Sequence, residues 1–325
     1  MKAAMIDMLG HPPRYADFPD PQPVDGAVVA TVEAASLKNL DRGLVAGTHY
    51  GSASLPLPMV AGVDGVTRLD DGRLVYSNAR FPHGMMAERT LVDPAAAVEL
   101  PAGIDPVLAA AVPNPGLSAW FSLEYAAQIQ PGQTVLILGA TGVTGSVAVQ
   151  LAKAHFGAGR VLAVGRNRER LDWLRTVGAD DTIALDADSA DRLATEHDSH
   201  PFDAVLDYLW GSPAEQVLAA LGNSHLSTGY HPTRYVQVGA MAGPTIQLSA
   251  AILRSAGVQL LGVGLGSIPP EAQARVKTEL LPALFAMVAD GHLHIDVQPQ
   301  ALSQVESVWA ANESSGTRVV LVPQT

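Results

Sequence analysis

The chain has 325 residues, 48% of them hydrophobic and 16% charged, with a formal net charge of −12. That length allows about two domains with substantial cores, and the composition excludes wholesale disorder. No block of Lys or Arg offers a face to nucleic acid or an anionic membrane, and the absence of cysteine excludes disulfides, thiolate catalysis and Cys-ligated zinc.

The N-terminus meets Asp7 and then Pro12-Pro13, so it lacks the uninterrupted apolar run of an export signal. No stretch reads as a membrane helix, and a soluble, cytoplasmic protein is expected. The first hundred residues are rich in Pro, Gly and Val. Extended runs at Val28–Ala34, Val66–Leu69, Leu74–Ser77 and Arg89–Val92 are separated by turn signals, and Asp71-Gly72 predicts a hairpin.

The texture changes near residue 105. Pro106–Val112 and Leu117–Ala127 read as helices flanking Pro113-Asn114-Pro115-Gly116. Strands at Thr134–Leu138, Arg160–Val164, Thr182–Ala184, Ala204–Asp207 and Tyr235–Val238 then alternate with helices at Val143–Phe156, Glu169–Val177, Ala187–Glu196 and Ala214–Leu221. Such alternation predicts βαβ units and a doubly wound parallel sheet, which Val258–Val263 extends. A long helix is expected over Glu271–Ala289. The last strand, Arg318–Val322, has no local partner and is expected to rejoin the first unit, making that domain discontinuous. The division is placed at 1–118 with 264–325 for the β-rich domain and 119–263 for the α/β domain.

The most informative stretch is Gly139-Ala140-Thr141-Gly142-Val143-Thr144-Gly145, directly after a strand and opening a helix. Gly139 suits a tight turn, Gly142 a close approach to pyrophosphate, and Gly145 close helix–strand packing. The helix N-terminus adds N–H donors and a positive dipole. An NAD site wants an acid about 20 residues beyond the glycines. This chain reads Gly165-Arg166-Asn167-Arg168-Glu169-Arg170, with a guanidinium suited to a 2′-phosphate. NADPH is the expected cofactor, although these arginines also suit a solvated helix start.

These residues, with Ala34-Ala35-Ser36-Leu37-Lys38-Asn39-Leu40-Asp41, Gly62-Val63-Asp64-Gly65, Leu117-Ser118-Ala119-Trp120, Val238–Gly243 and Ser315–Val320, resemble the medium-chain dehydrogenase/reductase superfamily in its zinc-free, quinone oxidoreductase-like branch. The resemblance covers essentially the whole length. It implies a Rossmann cofactor domain and a discontinuous, β-rich GroES-like catalytic domain. The zinc alcohol dehydrogenases carry a catalytic Cys where this chain reads Leu37 or Lys38, and Gly-His-Glu where it reads Gly62-Val63-Asp64. No metal site is therefore expected.

The resemblance also implies site residues. Tyr50, in Ala46-Gly47-Thr48-His49-Tyr50, is the candidate proton donor to a quinone or enone oxygen. Lys38 is a candidate for meeting a developing oxyanion, and Asp41, three residues on, is a further catalytic candidate as a base. Each has a plainer reading: Tyr50 as a packing aromatic, Lys38 as a surface lysine paired with Asp41, and Asp41 as a structural acceptor. His49 is a further relay candidate. Ser118, Gly239, Ala240, Met241 and Leu265 fall on the expected cofactor path. Tyr208 and Trp210 either cover the ribose or pack in the core.

The function expected is NADPH-dependent reduction of a quinone or α,β-unsaturated carbonyl. A simple ketone or aldehyde reductase and an NADPH-binding redox sensor are the alternatives. A small-molecule partner and a homodimer through the apolar edge strand Val258–Val263 are expected, with no nucleic acid and no membrane.

Overall fold

A computed structural model describes residues 1–222, 230–311 and 314–323. It separates into two compact units, Met1–Pro113 with Ala274–Thr325, and Asn114–Gln273. In chain order the first part carries β1 (Lys2–Ile6), β2 (Arg14–Asp17), β3 (Val28–Ser36), α1 (Asn39–Ala46), β4 (Met59–Val60), β5 (Asp64–Arg68), β6 (Leu74–Asn78), β7 (Arg89–Val92), β8 (Val98–Glu99) and α2 (Pro106–Ala111). Then come α3 (Pro113–Trp120), β9 (Thr134–Leu138), α4 (Val143–Gln150), β10 (Arg160–Gly165), α5 (Arg168–Thr176), β11 (Asp181–Ala184), α6 (Ser189–Ser199), β12 (Ala204–Asp207), α7 (Gly211–Gly222), β13 (Pro232–Gln237), α8 (Ala250–Ser255) and β14 (Gly257–Gly262). The chain closes with α9 (Pro270–Arg275), α10 (Leu281–Ala289), β15 (Asp296–Ala301), α11 (Val305–Ala310) and β16 (Thr317–Val322).

In the discontinuous unit, β2-β1-β4 form a small sheet. The larger sheet runs β15-β16-β3-β5-β6-β8, with β7 also on β3. Most of its pairings are antiparallel, and β5 and β6 form the hairpin expected at Asp71-Gly72. The final strand does rejoin this unit: β16 pairs antiparallel with β3, setting Val320 opposite Ser36. It also has a local partner that the sequence reading missed, since β15 pairs with it in parallel. Strand β15 carries Gln298, Pro299 and Gln300 and has no buried residue, so it lacks a strand's apolar pattern. Ile6, Leu37, Val45, Met59, Met85, Leu302 and Leu321 share one core, which ties the N-terminal strands to the returning segment.

In the contiguous unit all pairings are parallel, in the order β11-β10-β9-β12-β13-β14. The chain starts at the centre with β9, builds outward through β10 and β11, then crosses to β12. This leaves a switch point between β9 and β12 at their C-terminal ends, where doubly wound sheets bind ligands. Leu136, Leu138, Leu162, Val164, Val205, Val217, Leu218 and Tyr235 fill one of its faces.

Three of the expected helices are divided: π-helical turns follow α3 at Phe121–Ala126 and α4 at Leu151–His155, and a third splits the last long helix. α3 begins at Pro113, not Leu117. Pro113 and Pro115 fall in its first turn, where a missing N–H costs no hydrogen bond. The long helix expected over Glu271–Ala289 is divided by a π-helical turn, Val276–Leu280, just ahead of Pro282. A proline there removes one backbone donor and disturbs the preceding turn. No helix among the described residues is long and apolar enough to cross a membrane.

Candidate cofactor and active site

At the end of β9 the chain turns sharply through Gly139, at φ +88°. The N–H groups of Gly139 and Ala140 both donate to the Val164 carbonyl, at 2.8 and 2.9 Å, fixing the turn to β10. Gly142 precedes α4 without a side-chain cap. The first-turn N–H groups of Val143 and Thr144 therefore have no helical acceptor. A Cβ on Gly142 would meet only Gly139 O, at 3.4 Å, so the approach to these donors is open. A Cβ on Gly145 would lie 2.3 Å from Gly139 O and 2.7 Å from Ala140 Cα, a packing that only glycine permits. Thr141 is buried against Gly165, where a Cβ would lie 2.6 Å from its methyl. Backbone donors at a helix N-terminus, with space left above them, fit a dinucleotide pyrophosphate.

The end of β10 sorts its charged residues by what each already holds. The Asn167 side chain accepts the Arg170 N–H at 3.1 Å and caps α5. Arg168 pairs with Asp186 at 2.9 Å, and the Arg170 guanidinium lies 4.1 Å over the Trp173 ring. Arg166 is exposed, and no described residue hydrogen-bonds or ion-pairs with it. Asn167 and Arg170 support the helix start.

Sequence reasoning missed Asp207, at the end of β12. It is fully buried and accepts the N–H groups of Leu209 and Trp210, at 2.8 and 2.9 Å, and the Tyr235 hydroxyl at 2.8 Å. Burial raises the Asp207 carboxyl, and the two N–H groups and Tyr235 oppose the shift. Burial, together with this carboxylate, holds the Tyr235 hydroxyl protonated as the donor. The clamp maintains a turn in which Trp210 takes φ +56°. An Asp two and three residues before the N–H groups it accepts is an Asx-turn signal, readable in Asp207–Gly211. Tyr208 is 8% exposed with its hydroxyl enclosed. Trp210 is half-buried, edge-on to Tyr235. Gly239, whose N–H donates to the Asp207 carbonyl, and exposed Ala240 and Met241 follow β13 at the same end of the sheet. Ser118 is half-buried on α3. Leu265 opens a short 3₁₀ turn, but its side chain lies outside the described residues.

In the discontinuous unit, Tyr50 is 80% exposed and stacks on His49 with ring centroids 4.0 Å apart. The His49 Nδ1 accepts the Gly51 N–H at 3.1 Å, which orients the ring beneath Tyr50. Lys38 is not a surface lysine: its side chain is 1% exposed. Its Nζ donates to Ser36 O at 2.9 Å and Asp64 Oδ1 at 2.9 Å. Ser36 Oγ at 3.2 Å and Asp41 Oδ2 at 3.4 Å complete its surroundings. An ammonium has three protons, so this set uses them all within the chain. Burial alone would lower the Lys38 pKa; the Asp41 and Asp64 carboxylates outweigh it and raise it. Asp41 also accepts the backbone N–H groups of Lys38 and Val63, at 2.9 and 3.0 Å. Lys38 and Asp41 thus hold the start of α1, and Tyr50 is the candidate acid with an open hydroxyl-bearing ring.

A model of the family described as zinc-binding dehydrogenases matches residues 143–282. The donors for that metal do not fit. The chain has no cysteine, and among the described residues no group of three or more His, Asp or Glu is placed to hold a metal ion. Over 99% of its length the chain is 27% identical to the whole of a probable NADPH-dependent quinone reductase of Emericella nidulans. A trans-enoyl reductase of Aspergillus terreus is 31% identical over 54% of this chain and 47% of the relative. The quinone oxidoreductase of Thermus thermophilus, solved also in complex with NADPH, superposes with a TM-score of 0.80 at 29% identity, covering 99% of this chain and all of that one.

Proposed function

We propose that the chain is a medium-chain dehydrogenase/reductase of the quinone oxidoreductase-like branch, an oxidoreductase with NADPH as cofactor that reduces quinones or α,β-unsaturated carbonyls without zinc. The observation that carries the reading is Arg166, exposed and without a protein partner among the described residues at the end of β10, beside the open glycine turn. Val143 and Thr144 offer their N–H groups to the pyrophosphate and Arg166 its guanidinium to the 2′-phosphate. Bound NADPH supplies the hydride that an electrophilic carbon of the acceptor receives. Tyr50 gives its hydroxyl proton to the resulting oxyanion, and His49 holds the Tyr50 ring. Lys38 and Asp41 act at one remove, by fixing the first turn of α1 ahead of that loop.

The test follows NADPH oxidation by the purified protein with a 1,4-quinone, a 2-enone or a saturated ketone, and NADH as the control. Turnover with the quinone or enone and NADPH supports the proposal. Turnover with the ketone alone makes it a carbonyl reductase, and NADPH binding without turnover makes it a sensor. Tyr50→Phe retaining full turnover removes Tyr50 as the acid.

The same reading includes a homodimer. Strand β14 is the sheet edge, with Leu260 and Leu261 43% and 37% exposed and one row of backbone groups unpaired. A second copy of β14 supplies both the hydrogen bonds and the apolar cover. A monomeric mass by light scattering refutes it.

A further inference from the structure

The space around Lys38 Nζ has the composition of a cation site. Four oxygen atoms lie between 2.9 and 3.4 Å from it: a backbone carbonyl, a hydroxyl and one oxygen from each of two carboxylates. The Lys38, Asp41 and Asp64 side chains are 1%, 1% and 10% exposed, so the site lies away from the protein surface. Lys38 stands at the N-cap of α1 and Asp64 at the start of β5, so the two come from separate elements. Here the two meet each other directly. The buried Arg318 adds a second cation, its Nη1 donating to the Leu37 carbonyl at 2.9 Å, so two positive charges balance the two carboxylates.

We propose that the Lys38 ammonium is the resident cation of this site, filling the oxygen cage of Ser36, Asp41 and Asp64 and shutting it to divalent metals. A lysine tip is tethered and monovalent, so it cannot exchange with solution. Removing it leaves four oxygens, two of them from carboxylates, without their ammonium, a donor set suited to a hard cation such as Mn²⁺.

The test reads metal, not turnover, so its outcome is independent of the reductase reading. EDTA-treated wild-type protein is titrated with Zn²⁺, Mg²⁺ and Mn²⁺ and followed by melting temperature and metal content; no stoichiometric uptake is expected. Lys38→Ala is expected to gain a saturable, Mn²⁺-dependent rise in melting temperature, which Asp64→Asn in the same chain removes. Lys38→Met, which fills the space without charge, is expected to show no rise. One equivalent of metal on the wild type, or a folded Lys38→Ala without a Mn²⁺ response, overturns the proposal. Should Lys38→Ala not fold, the wild type decides by NMR. The chain has only four lysines, Lys2, Lys38, Lys153 and Lys277. One ammonium must show slowly exchanging protons and through-space contacts to the Ser36 and Asp64 side chains. Four alike overturn the proposal.

Discussion

The two units bury polarity in opposite ways. The contiguous unit builds its candidate site from main chain: a glycine turn, the open first turn of α4 and strand ends of a parallel sheet. The discontinuous unit builds its site from side chains far apart in sequence, with Ser36, Lys38, Asp41, Asp64 and Arg318 in one buried cluster. A main-chain site fails when an atom is added, and a side-chain site fails when a charge is removed. The predictions that follow try that contrast.

The largest effect belongs to Asp64→Ala. It removes one partner of a buried ion pair whose side chains are 1% and 10% exposed. A loss of about 3–5 kcal/mol is expected in urea unfolding. A loss no greater than that of Arg73→Ala, an exposed pair, breaks the comparison. Gly145→Ala comes next, at about 2–3 kcal/mol, because its methyl meets backbone on both sides. It is also expected to weaken NADPH binding, whereas Asp64→Ala leaves the glycine turn intact. Fluorescence titration separates the two.

Arg166→Ala is expected to cost nothing in stability, since no described residue contacts that guanidinium through a hydrogen bond or ion pair. It raises the Kd for NADPH by about 10–100-fold, the scale of a lost charge-assisted hydrogen bond of ~1.5–3 kcal/mol, and leaves NADH binding nearly unchanged. An unaltered preference sinks the assignment. The smallest effect is in pH. Burial lowers the pKa of His197, whose Nδ1 accepts the Phe202 N–H at 3.1 Å. The folded state then binds fewer protons than the unfolded chain, so the stabilisation is complete above the ordinary histidine value and is lost as pH falls. A decline in stability between pH 7 and 5 is expected from this group, with a flatter profile in His197→Gln.

The contrast also explains what could be read in the sequence. β9, the glycines and α4 lie within seventeen residues, 134 to 150, so spacing alone declares the turn. The Arg166 reading needed only the residues of the next strand end. Asp207 is legible in principle as an Asx-turn, since Leu209 and Trp210 follow it by two and three positions. The Lys38 cage was not legible. Its partner Asp64 is 26 positions away and Arg318 is 281 from the carbonyl it holds, and no local pattern encodes such pairings. β15 was missed because its exposed glutamines and proline carry no strand periodicity, and it exists because β16 offers it an edge.

The return of β16 onto β3 sets an order of events during synthesis. The segment 114–273 is contiguous and can close on itself as it leaves the ribosome. The N-terminal strands must wait for a partner 281 positions downstream, which at about 5–20 residues per second is roughly 15–55 s. Through that interval β3 has an open edge and Leu37 lacks its guanidinium. The part of the protein translated first is therefore the last to be finished, and a ribosome that stops a few codons early releases a completed nucleotide-binding unit joined to an unfinished one.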